Sequence, residues 1–319
     1  MNALRELARI AAVQLLGSPA FVRRRLARIE EAGTPVVLNL HRVAEPDGSA
    51  YAPLAPAMFE ALLRFATRHF AVVGFDELAE PGTRPRLVLS FDDGYRDFID
   101  VAMPILDRFK LRANQNVVPA CVESGLPPLQ VLAADFLGKA PPALIDALEL
   151  PGFDFRDRRR LWPRLSRFLG TKPIAEQSRL ADSLRRQFFA WDGFRPTPMM
   201  DREAIRQAAA AGHEIGGHGF DHASMAVESD DYVITDVARC AAWVREATGR
   251  PMRVYALPNG SHRPGQPEAV RALGVEFVLL SGGGIGGRGG IFDRVGFVAR
   301  DGREMTFRAL GAHAPIGAR

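Results

Sequence analysis

Two carboxylates, Asp92 and Asp93, stand side by side in RLVLSFDDGYRDF, residues 86–98, between an apolar run and Gly94. Neighbouring carboxylates repel each other unless a cation or a shared proton relieves them, so the pair reads first as a seat of acid–base or metal chemistry. Aspartate also favours helix starts, and a helix is expected from about Arg96, so an N-cap reading competes. A second group lies in GHEIGGHGFDHAS, residues 212–224, where His218 and His222 are four apart. On a helical turn or tight loop, side chains at that spacing project the same way, and neutral imidazole is the commonest nitrogen ligand for zinc and related ions. Three of the seven histidines, His213, His218 and His222, crowd into this segment. His213, directly after Gly212, fits a structural residue at a strand start better than a ligand. A third segment, RVYALPNGSH at 253–262, ends an apolar run in a Pro-Asn-Gly turn able to present bare backbone N–H groups. Taken alone it is only a turn.

Each group needs a strand to deliver it. Arg86 to Phe91 reads as a buried strand with a sharp turn at Gly94, and Val254 to Leu257 as another. Phe98, Val101, Ala102, Ile105, Leu106 and Phe109 line one face of a helix that closes at Lys110 to Arg112. Asp201 to Ala211 predicts a helix capped by Asp201 and stopped at Gly212. Asp231 to Thr248 predicts a third, with Val233, Val237, Cys240, Ala241 and Val244 facing inward and Gly249 after it. This alternation of short strands with periodic helices points to an α/β fold, barrel-like or layered, with a mostly parallel sheet. Between Pro127 and Met200 lies a mostly helical, proline-interrupted insertion, expected to form a cap or flanking subdomain. Its cluster Arg156, Arg158, Arg159 and Arg160, near Trp162, reads as a solvated helix face. The stretch GGGIGGRGG, within 282–290, lacks the lysine and Ser/Thr of a phosphate loop and reads as a flexible loop before a strand from Ile291 to Val298.

Together the segments resemble the polysaccharide deacetylase family, whose NodB homology domain removes acetyl groups from N-acetylated sugars. SFDDGY resembles its first motif, TFDDG; HGFDH its second, His-Ser/Thr-x-x-His; YALPNG its third, Arg-x-Pro-Tyr-Gly. VVLNLHRV, residues 36–43, is similar to the opening strand of many members, which read YHRV there. The resemblance spans roughly residues 35–300 and implies an irregular (β/α) barrel of about seven strands and helices. It implies Asp93, His218 and His222 as ligands of a divalent metal, zinc first, with cobalt, nickel and manganese as alternatives, and Asp92 as general base. Such an ion keeps open positions, lowers the pKa of its bound water and polarises an amide carbonyl. Asp92 can then take the water's proton, while the backbone N–H of Asn259, at the motif tyrosine's position, helps the metal stabilise the oxyanion.

Three departures stand out. Ala256 occupies the place of the third-motif arginine that braces the base carboxylate; Arg253 or Arg294 would have to reach in instead. Gly219 replaces the hydroxyl residue after the first metal histidine, losing an outer hydrogen bond. No counterpart of the family's leucine-x-histidine motif, source of the general acid, is found, which leaves His262 and His313 as candidates. Two other functions therefore stay open: a glycan-binding relative with impaired catalysis, and a hydrolase of a small non-sugar amide.

The 319 residues, 47% hydrophobic, suffice for a large core. The expected organisation is an N-terminal helical segment over 1–34 and a catalytic domain over 35–319 with the 127–200 insertion. The net charge of +4 and pI near 9.4 are mild, and no nucleic-acid partner is expected. Cys121 and Cys240 imply no disulfide framework. Arg5, Glu6 and Arg9 interrupt any export-type apolar core, so a cytoplasmic protein is expected. Ala11 to Leu16 is too short to span a bilayer; with Arg23, Arg24, Arg25 and Arg28 it could lie on the inner membrane face, although packing against the catalytic domain is the favoured reading. Oligomeric state is left open.

Overall fold

The apolar runs become short strands whose side chains alternate between two faces. The computed structural model describes residues 18–78, 84–282 and 284–317. Its strands are β1 (Val36–Leu40), β2 (Ala71–Val72), β3 (Arg86–Phe91), β4 (Asn114–Val117), β5 (Glu214–Gly217), β6 (Val254–Ala256), β7 (Phe277–Leu279), β8 (Gly286–Arg288), β9 (Ile291–Asp293) and β10 (Val295–Gly296). They form one sheet in the order β10-β1-β3-β4-β5-β6-β7-β9-β8, with β2 also on β3. Every pairing is parallel except β8 with β9. β9 pairs with β7 and β10 with β1, with Arg294 alone between them in sequence. This one segment therefore draws the sheet's two ends together and curls it into a barrel.

Outward side chains such as Leu38, Leu40, Leu87, Leu89 and Phe91 join the main core beneath the surrounding helices. Inward ones form two layers. Val37, Val88, Val254, Ala256, Leu279 and Phe75 make an apolar base. Towards the strands' C-terminal ends the alternation continues with buried polar groups, Asn39, Ser90, Asn114, Asn116 and Arg294. Buried polar groups need partners, and Ser90 Oγ donates to Asn114 Oδ1 at 2.8 Å while Asn116 Nδ2 donates to Ser90 Oγ at 3.1 Å.

The helices expected at the second and third segments form as Arg202–Ala210, capped by the Asp201 carboxylate on the Ala204 N–H at 2.8 Å, and Asp230–Thr248, capped by Ser229 and ended by left-handed Gly249. The helix after the aspartates starts as a wide turn over Phe98–Ala102 before Met103–Arg108.

Three expectations need correction. The glycine stretch holds strand β8, because Gly287 lies so close to β9 that a Cβ there would meet the Ile291 carbonyl at 2.1 Å; backbone pairing leaves no side-chain pattern to read. Gly283 lies outside the described residues. The strand expected from Ile291 to Val298 is two strands with different partners, β9 and β10. The arginines at 156–160 sit on a turn preceding the helix Leu161–Gly170, where Arg158 pairs with Asp146 at 2.7 Å and Arg159 with Asp157 at 3.3 Å.

The insertion has its own apolar cluster, including Leu132, Phe136, Leu165, Leu169, Leu184 and Phe188. At the N-terminus, residues 1–17, with the apolar run and charges noted there, lie outside the described residues. The helix Pro19–Glu31 buries Val22 and Ile29, and Arg25 donates to the carbonyls of Gly311 at 2.7 Å and Ala314 at 2.6 Å, while Arg23, Arg24 and Arg28 are exposed. Both cysteines are free and buried. Among the described residues no helix is long and apolar enough to cross a membrane.

Candidate active site

The strands' C-terminal ends bring the first two sequence segments together. Asp92 continues β3, its N–H donating to the Leu40 carbonyl at 3.0 Å. Asp93 turns into the left-handed region, φ 75°, which lets two consecutive carboxylates serve different partners. Asp92 Oδ1 accepts from Asn116 Nδ2 at 2.8 Å and from Arg294 Nη1 at 2.7 Å. Asp93 Oδ2 accepts from the Tyr95 hydroxyl at 2.7 Å. Asp93 Oδ1 is buried without a hydrogen-bond partner among the described residues. His218 Nε2 lies 3.5 Å from it and His222 Nε2 3.4 Å.

His218 follows β5, its N–H donating to the Val117 carbonyl at 2.8 Å. Its Nδ1 lies 2.9 Å from the Ala256 carbonyl, a bond only a protonated Nδ1 can make, so Nε2 is left as a bare lone pair. The loop from His218 to His222 is held from behind by Asp236 on the helix Asp230–Thr248. One of its carboxylate oxygens accepts from the Phe220 N–H at 2.8 Å, and the other from the Tyr255 hydroxyl at 2.6 Å. Gly219 has φ 69°, and a Cβ there would come within 2.8 Å of Pro258. The missing hydroxyl is thus the consequence of a position that demands glycine.

The ligand atoms of Asp93, His218 and His222 all lie within 4.8 Å of one another. An orphaned buried carboxylate oxygen facing two imidazole nitrogens fits a divalent cation and little else. The electrostatics agree. Burial works against the charged form of Asp92, but the Arg294 guanidinium overcomes it and holds the carboxyl well below the usual range. Burial pushes His222 down to about 4, against the pull of Asp93, so its ring is neutral and able to ligate.

The other expected residues scatter. Arg253 sits on Glu276 at 2.9 Å, away from Asp92. Arg294, by contrast, is 1% exposed and enters the interior that Ala256 also faces. Its Nε donates to the Leu280 carbonyl at 3.0 Å and its Nη2 to Ser281 Oγ at 3.3 Å. Asn259 occupies the turn after β6 with φ 56° and is exposed, its Nδ2 3.4 Å from Ser224 Oγ. His262 bonds to the Gly260 carbonyl at 3.0 Å, and His313 stacks on Phe307 with ring centres 5.8 Å apart; neither joins the carboxylates. His213 lies at the start of β5 as a structural residue, its Nδ1 accepting from the Ala113 N–H at 3.1 Å.

Sequence reasoning missed His41. It follows β1, its ring meets Tyr51 edge-on at 5.8 Å, and besides the burial that lowers its basicity, the charges acting on it are those of Asp93, Asp92 and Arg294. The only signal was its place in VVLNLHRV. Tyr51 in turn lies 5.4 Å from Trp162 of the insertion.

Because Asp236 holds the histidine loop without touching the cation site, Asp236→Asn should weaken metal binding by about 10- to 100-fold. Chelator competition on the purified variant, with circular dichroism as a control for folding, reads this directly; unchanged affinity would show that the loop holds its shape unaided.

Residues 168–278 match the family model described as polysaccharide deacetylase, a span that includes both site histidines but not the aspartates. No curated protein matches the chain. Similar solved structures include the Streptococcus pyogenes deacetylase PplD in complex with acetate, at TM-score 0.58 and 14% identity, covering 87% of this chain and 98% of that one. IcaB from Ammonifex degensii gives TM-score 0.56 and 17% identity over 87% of this chain and 97% of its own. A de-N-acetylase from Aggregatibacter actinomycetemcomitans gives 0.52 and 15% over 81% and 93%. These likenesses establish the fold.

Proposed function

We propose that the chain is a relative of the polysaccharide deacetylases and acts as a metal-dependent hydrolase that removes the acetyl group from an N-acetylated sugar of a polysaccharide or glycolipid precursor. The observation that carries this reading is the orphaned Asp93 Oδ1 facing two imidazole nitrogens, next to a second carboxylate kept ionised by Arg294. Asp93, His218 and His222 would hold a divalent ion, zinc first. Such an ion would supply Lewis acidity and a water made acidic enough to attack an amide at neutral pH.

The chain's own residues divide the remaining work. Asp92, with Oδ1 fixed by Arg294 and Asn116, leaves Oδ2 to accept the proton of the attacking water. The backbone N–H of Asn259 is assigned to the carbonyl oxygen as it gains charge. Neither His262 nor His313 joins the carboxylates, so the proton that Asp92 takes from the water is the one it returns to the leaving amine. Arg294 takes over the bracing of the base that Ala256 cannot give, which answers the main reason for reading the chain as a binding protein with impaired catalysis.

The test is metal content of the wild type and His218→Ala, together with acetate release from N-acetylglucosamine oligomers with added zinc, cobalt or nickel. The expected result is near-stoichiometric metal that the variant loses, and acetate release that follows the metal. Metal without acetate would favour the glycan-binding or small-amide readings. No metal at all would make the histidine loop structural and overturn the proposal.

A further inference from the structure

A cavity of about 270 Å³ lies at the seam between the barrel and the insertion, outside the acid–base and metal groups but sharing His222 as part of its wall. Its barrel side carries Cys121 and Asp221; its insertion side carries Gln130, Gln177 and Arg185. The volume falls just below the roughly 300–1,000 Å³ of small-molecule sites, room for one sugar-sized group.

Its charges are unbalanced in favour of a cation. Asp221 is already engaged by Arg239 at 3.1 Å. Among the described residues, Arg185, its side chain 40% exposed, pairs only with the exposed Asp182, at 3.9 Å, and its Nε is buried with no hydrogen-bond partner. A guanidinium N–H shut away from water without an acceptor is costly to leave unmade, and its planar fork suits a carboxylate or a phosphate. Gln130 and Gln177 face each other with Nε2 and Oε1 3.5 Å apart and add neutral amide groups to the same wall. His222, a candidate metal ligand, and Arg185 line the same cavity, which puts the arginine's cavity beside the candidate metal site.

We propose that this cavity is a subsite for an anionic group, a carboxylate or a phosphate, carried next to the N-acetylated sugar, and that Arg185 is the residue that selects it. Its place in catalysis rests on the deacetylase reading, but the binding it describes does not. The insertion then acts as the specificity element of the enzyme, and the substrate class narrows from N-acetylated glycans in general to acidic ones.

The experiment compares metal-loaded wild type, Arg185→Gln and Arg185→Lys by calorimetry and by acetate release. The probes are a neutral N-acetylglucosamine tetramer, a tetrasaccharide alternating glucuronate with N-acetylglucosamine, and N-acetylglucosamine 1-phosphate. The expected result is that wild type binds one of the two anionic probes roughly tenfold tighter than the neutral tetramer. Arg185→Gln should abolish that preference and leave the neutral tetramer's Kd and kcat unchanged, with Arg185→Lys in between; the preferred probe tells carboxylate from phosphate. Equal affinity for all probes, no binding of any, or a preference untouched by Arg185→Gln would each overturn the subsite. Anion-selective binding that depends on Arg185, without acetate from any probe, would uphold the subsite and count against the deacetylase reading instead.

Discussion

Asp92→Asn should lower acetate release by about 10²- to 10⁴-fold, the usual worth of a positioned acid–base group, while metal content stays at the wild-type level. The amide keeps the shape of the carboxylate, and its oxygen can still accept from Asn116 and Arg294. The position left over then presents an N–H₂ group, which cannot take a proton from water. Asp92 Oδ2 lies 3.8 Å from His218 Nε2, close enough to meet a water held beside the ion but outside the ligand set assigned to Asp93, His218 and His222. The checking measurement pairs metal analysis with steady-state kinetics on one N-acetylglucosamine oligomer. Undiminished turnover would remove Asp92 from the base role, and loss of metal would make it a ligand.

Arg294→Met should have the largest effect on stability, because it removes the one cation that, among the described residues, is bonded to the buried Asp92 carboxylate. Breaking a buried ion pair from one side costs about 3–5 kcal/mol. The pH dependence carries the sign. In the wild type the folded-state pKa of Asp92 is depressed, so its contribution is present above the unfolded pKa of about 3.9 and is lost only as pH falls through the folded value. Without Arg294 burial is left to dominate and raises the folded pKa, so the folded variant loses stability as pH rises above about 3.9. The gap between wild type and variant should therefore be wide at pH 7 and narrow towards pH 4, read as denaturant midpoints at both values. The acidic limb of kcat/KM should also move to higher pH. Midpoints separated equally at both values would show that Arg294 matters for packing alone.

How much of the site the sequence could show depends on how local each contribution is. Asp92 and Asp93 sit at the end of a strand legible from Leu87, Val88, Leu89 and Phe91, and two aspartates in succession suffice to mark a carboxylate pair. His218 and His222 belong to one short loop, so their common direction follows from spacing. The helices Arg202–Ala210 and Asp230–Thr248 announce themselves by caps, periodicity and a closing glycine. Each of these signals lies within a few residues of the element it specifies.

Arg294, His41 and Asp236 are different. Arg294 is 202 positions from Asp92, and nothing near it in sequence says that β9 and β10 join opposite ends of the sheet. His41 stands at the end of an ordinary strand and acquires chemical meaning only from the charges that the other strands bring alongside it. Asp236 reads as one more polar residue on a helix until the helix packs and its carboxylate meets Phe220 and Tyr255. The chain by itself determined which side chains could ligate and accept protons, because strand ends and tight loops are written in local residue types. Closure of the barrel decided what holds those side chains in their working states, because an ion pair or a loop brace across the interior depends on distances that only long-range strand pairing sets.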